Sequence, residues 1–124
     1  VLELLGDGAV KATSTTDDSL RQVARLVTFK IQPPASNTAV CFQYTHGLST
    51  DHTHVTVMQD TTAPYGVVEC DVRRGKHTTG TTAAGGGVTS GADNGYQSGG
   101  ADNISILFSS APANGTDYLV TIVG

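Results

Sequence analysis

The chain contains no tryptophan, one methionine, two cysteines and three lysines. Each scarcity narrows what the protein does. With no Trp and four Tyr, there is no obvious aromatic platform for stacking on pyranose rings. Seven Lys and Arg against 11 Asp and Glu leave a formal net charge of -4. That balance argues against a nucleic-acid partner, which calls for a basic stripe to displace counterions from phosphates. No stretch approaches the roughly 18 apolar residues of a membrane span. No secretory h-region is present, so any signal peptide is expected to have been removed already. The start at Val1 fits a removed signal peptide, a removed initiator Met or an excised domain equally well.

What is present is β-forming material. Thr is the commonest residue, at 18, and Gly follows at 15. Thr and Val suit the pleated surface of a sheet, while Gly, Asn and Asp suit its turns. The 124 residues have room for one domain, 1–124. Val, Leu, Ile and Phe number 28, enough for a modest core. Such a composition is common in extracellular, cell-surface and virion proteins.

Alternation marks the elements. Val1–Leu5 is an apolar run closed by Gly6-Asp7-Gly8, and Ala9–Ser14 is placed to pair back as a hairpin. Leu20, Val23, Ala24 and Val27 fall at helical spacing behind Asp17, Asp18 and Ser19. Val27, Phe29 and Ile31 alternate instead, which predicts a strand over Leu26–Gln32, with Ser19–Arg25 left between strand and helical turns. Further strands are predicted at Val40–Tyr44, His54–Gln59, Tyr65–Arg73, Asn103–Ser109 and Asp117–Val123. Residues 75–100 form a Gly/Thr-rich loop with at most one short strand near Val88–Ser90. It reads either as a mobile surface loop or as a binding or assembly loop. Seven or eight short strands predict an all-β antiparallel β-sandwich, immunoglobulin-like or jelly roll, with a small barrel as the second choice.

Candidate chemistry is sparse. His46, His52 and His54 lie within nine residues, and His52 and His54 share one face of an extended strand, a possible metal pair. The spacing resembles the His-x-His of cupin barrels, but Gln59 stands near where those place a Glu, so no cupin activity is carried over. Gly91-Ala-Asp93-Asn94 recurs as Gly100-Ala-Asp102-Asn103. This resembles the calcium-binding nonapeptide repeats of β-roll toxins, which implies Asp93 and Asp102 as candidate Ca²⁺ ligands; Asx-type turns explain them as well. Pro112–Ile122 resembles a late strand of fibronectin-type modules, with Tyr118 at a sheet corner. No nucleophile elbow or paired carboxylates stand out, so no catalytic residue and no cofactor is expected. Cys41 and Cys70 both fall in predicted strands and are candidates for a disulfide, with two buried thiols as the alternative.

These features lead to three expectations of function. The first is a structural or assembly protein, such as a virion coat or decoration protein or a surface-fibre subunit, forming a homo-oligomer or larger assembly. The second is an extracellular module binding glycan or protein, with Ca²⁺ assisting. An enzyme comes last. In the assembly reading, Val1, Leu2, Leu4 and Leu5 add a strand to a neighbouring subunit, because Leu4 and Leu5 face opposite sides and both ask for cover.

Overall fold

A computed structural model describes residues 2–4, 10–13, 20–22, 25–48, 53–98 and 102–124, the first three segments as backbone strands. All described elements are strands; among the described residues there is no helix. β1 (Leu2–Leu4), β2 (Val10–Thr13) and β3 (Leu20–Gln22) form an antiparallel meander, with Leu4 opposite Val10 and Thr13 opposite Leu20. The expected pairing of β1 with β2 is therefore made within the chain, and Gly6-Asp7-Gly8 lie outside the described residues. The ambiguous stretch after Ser19 resolves as strand at Leu20–Gln22.

Eight further strands build a sandwich of two antiparallel sheets. β4 (Leu26–Ile31), β6 (His54–Gln59) and β11 (Tyr118–Val123) form a three-stranded sheet in the order β4-β11-β6. β5 (Cys41–Thr45), β7 (Asp71–Arg74), β8 (Thr82–Ala83), β9 (Thr89–Gly91) and β10 (Asn103–Leu107) form the other, in the order β7-β10-β5-β9-β8. Within the sandwich, the first strand pairs with the last and the second with the last but one, Val27 facing Ile122 and Phe42 facing Ile106. This nested pairing is the wrapping of a jelly roll. The immunoglobulin-like alternative fails because β4 and β5 lie in different sheets instead of pairing side by side.

The alternation explains the core. Phe29 and Ile31 of β4, Phe42 of β5, Val57 of β6, Ile104 and Ile106 of β10, and Val120 and Ile122 of β11 all turn inward and are buried together. Val27 and Phe108 pack against them in part. Val40 is only half-buried and stands just outside β5.

Two expectations need correction. The strand predicted over Tyr65–Arg73 is split: Val67 makes a single bridge to Met58 on β6, the chain then crosses between the sheets, and only Asp71–Arg74 enters the second sheet. The Gly/Thr-rich segment is also no free loop. Ala84 and Val88 are buried in the core, and the Gln32 amide donates to Ala84 O at 2.8 Å. Gly85 makes this docking possible, since its φ is +120° and a Cβ there would stand 2.6 Å from Lys30 O.

Candidate functional site

On β5 and β10, the residues that turn away from the core are Cys41, Gln43, Thr45, Asn103, Ser105 and Leu107. A sheet face of this kind normally meets water. Here Cys41 and Ser105 are completely buried, and the segments that cover this face are residues 75–80 and 92–97, on either side of β8 and β9. The cover is pinned by backbone bonds from Gln97 to Lys76 O (2.7 Å) and from Asn94 to His77 O (2.9 Å). The Ser105 hydroxyl donates to Gly75 O at 2.7 Å. Asn94 Oδ1 accepts from the Thr79 amide at 3.0 Å, and the Asp93 carboxylate accepts from the Gly95 amide at 3.0 Å. The cover is thus assembled from short polar side chains and backbone, which is why it has no apolar signature in the sequence.

The two cysteines are free thiols, and the proposed disulfide is corrected. Cys41 pairs with Leu107 on β10, whose other side pairs with Asp71, the residue next to Cys70. One whole strand separates the cysteines, and neighbouring strands are already about 4.7–4.9 Å apart, so a bond would span about twice that. Burial pushes the Cys41 thiol up to about 11, with Ser105 and Arg73 pulling down and Asp93 up. Burial, with help from the Asp71 charge, also raises Cys70. Thiols held protonated in this way are poor nucleophiles and poor metal ligands.

His46 follows β5 of one sheet and His54 opens β6 of the other. His46 is buried at the end of β5, where its Nδ1 accepts the Leu48 amide at 3.0 Å; burial lowers its proton affinity. Its own amide donates to Asp102 O at 2.8 Å, so the residue beside it comes from the other candidate set. His54 is exposed at the start of β6, and His52 lies outside the described residues. Asp93 and Asp102 stand near opposite ends of β5. Asp93 follows Gly91, which faces Cys41, whereas Asp102 precedes Asn103, which faces Thr45. Among the described residues, no group of three His, Cys, Asp or Glu is placed to hold a metal ion. Leu2 and Leu4 lie on β1; Val1 and Leu5 fall outside the described residues.

Sequence reasoning missed the open side of the sandwich, where edge strands β6 and β7 leave a cleft between the sheets. A cavity of about 490 Å³ there is walled by Val55, Val57, Val67, Val68, Cys70 and Val72. A second, of about 260 Å³, continues it past His54 to Arg74 and Ile104. Beside it, Val67 is 69% exposed, Tyr65 52% and Met58 39%. The signal lay in Tyr65–Val68 and Met58, where apolar residues exceed what one strand face buries.

No protein family, curated protein or solved structure was found to match the chain. The class to which it belongs is therefore defined by its own architecture, an all-β sandwich with jelly-roll wrapping. No helix among the described residues is long and apolar enough to cross a membrane.

Proposed function

We propose that the protein is a non-enzymatic structural or assembly subunit, of the kind that builds a virion coat, a decoration layer or a surface fibre, and that it acts outside the cell or on a virion. The observation that carries this reading is the apolar surface on the open side of the sandwich. Met58 and Val67 are partners across a bridge, Val67 and Val72 line the cleft, and these three and Tyr65 are all exposed. Large apolar side chains exposed around one cleft mark a site that another macromolecule covers. The protonated thiols support a surface that binds over one that reacts. Electron microscopy of the concentrated protein tests the reading: defined particles or fibres are expected, and a field of single small domains overturns it.

A second reading has an observation of its own. A groove of about 290 Å³ runs between residues 34–39 and the β8–β9 edge, where Ser36, Asn37, Thr38 and Thr82 supply hydroxyl and amide groups among Pro34, Ala35, Ala39 and Ala92. Such groups suit a sugar or an extended peptide, as in an extracellular binding module with Ca²⁺ assistance. Binding on a glycan array that chelation abolishes would favour this module over the assembly subunit.

A further inference from the structure

Among the sandwich edges, β8 has two residues, β6 is partly occupied by Val67, and β4 carries Lys30. β7 carries charges of both signs, Asp71 and Arg73, and no strand lies beyond these residues among those described. Its far end is capped: Gln97 bridges Lys76, and the His77 ring lies 3.0 Å from Arg74 O. The backbone of β7 is correctly set for a partner strand. Gly75 donates to Asn103 O at 2.8 Å, in register with Arg73 opposite Ser105 and Asp71 opposite Leu107. Bonded positions alternate along an antiparallel ladder, so Asp71 and Arg73 bond inward to β10 while the Val72 N–H and C=O point outward.

The side chains add self-complementarity. Val72 is 37% exposed and lies between Asp71 and Arg73, whose side chains meet at 2.7 Å on one face of the strand. If two β7 strands pair about a two-fold axis centred on Val72, each Val72 exchanges both backbone bonds with its copy. Each Asp71 then lies opposite the partner's Arg73, so the two ion pairs join across the axis, with Asp93, 3.5 Å from Arg73, beside each arginine. A shift of one residue in register would set unlike faces of the two sheets together.

We propose that β7 is a homotypic docking edge, through which a second copy of this chain joins the two five-stranded sheets into one continuous sheet by Asp71–Val72–Arg73 pairing. The inference rests on the assembly reading above and names the contact through which assembly proceeds. It also places the apolar wall of the cleft, Val67 and Val72, next to the same wall of the partner, which accounts for their exposure.

The test is the sedimentation mass of the full chain and of two charge reversals, Asp71→Arg and Arg73→Asp, with circular dichroism confirming that each retains its β spectrum. Either reversal sets like charges opposite one another across the axis. Each reversed chain alone is expected to lose the pairing step, lowering its mass at least twofold relative to the unaltered chain. An equimolar mixture of the two is expected to regain it, because each supplies the charges the other lacks. If the unaltered chain associates and both reversals associate equally well, this edge is not the interface and the assembly reading survives alone. Dissociation of both reversals without recovery on mixing also overturns the two-fold pairing. An unaltered chain with the mass of a monomer at every concentration overturns both.

Discussion

Gly80 and Gly91 cross with their backbones in contact: a Cβ on Gly80 would stand 2.6 Å from the Gly91 Cα, and one on Gly91 would stand 2.7 Å from the Gly80 Cα. This crossing locks the glycine-rich cover onto the outer face of β5 and β9. Neither backbone can yield to a methyl group without moving its own strand or the cover. Gly91→Ala should destabilise the fold by about 1–3 kcal/mol, in the range of overpacked sites. Amide exchange should show protection lost first over residues 76–97. Urea unfolding with an unchanged midpoint would show that the two segments are not in contact.

The thiols supply a second test. Both cysteines are reduced in the fold, and Cys41 lies wholly inside it. At neutral pH a thiol reagent should label Cys41 only after unfolding, and denatured protein should titrate two thiols without a reductant. The folded Cys41 value lies above its ordinary 9.0, at about 11, so the unfolded chain releases the proton more readily. Stability from this group is therefore full below pH 9 and declines as pH rises through about 11. Cys41→Ser should still unfold more readily at neutral pH, since a buried hydroxyl replaces a thiol, but it should lose that part of the alkaline decline.

His46 sets the acid side. Its proton affinity is lowered by burial, against a raising influence of Asp102 and a lowering one of Arg25, and its Nδ1 must stay unprotonated to accept the Leu48 amide. The unfolded chain binds a proton more readily, so stability from this group is present above about pH 6.5 and is lost as pH falls through the lower folded value. His46→Asn keeps an acceptor near the Nδ1 position and should flatten that part of the acid limb. An unchanged slope between pH 7 and pH 5 would contradict the assignment.

β10 is the strand on which both layers depend. Ile104 and Ile106 face the core while Ser105 and Leu107 face the cover, and all five residues of the strand are buried. Ile106→Ala should cost about 2–5 kcal/mol in a denaturant titration. A cost below 1 kcal/mol would mean that the two sheets do not close over this position.

The strands with one wet face were legible in the sequence because burial on one side only writes a period of two. β4 and β11 show it in Phe29, Ile31, Val120 and Ile122. The hidden features have a different physical origin. Residues 75–80 and 92–97 are ordered by glycine contacts and polar bonds, which leave no periodic trace. The Tyr65–Arg73 stretch serves both sheets in turn, and its apolar residues read as one strand although they divide between two neighbours. The separation of Cys41 from Cys70 is a matter of strand order, since β10 arrives from later in the chain to lie between them. The same return of the chain sets Asp102 beside His46, two residues that spacing alone assigned to different sites.

The outer charge pair at Lys30 gives a control. Lys30 Nζ lies 3.0 Å from Asp60 Oδ2, and that contact raises the lysine's proton affinity. Lys30 is solvated, so Lys30→Gln should leave the denaturation midpoint nearly unchanged, with any difference shrinking in salt. A larger, salt-independent loss would show that β4 depends on this pair.

The assembly role is tested most directly by the mass of the unaltered chain in solution, measured by sedimentation equilibrium over a range of concentrations. The account predicts a mass that is a whole-number multiple of 12.7 kDa and grows with concentration toward a defined limit. A constant 12.7 kDa at every concentration would contradict it.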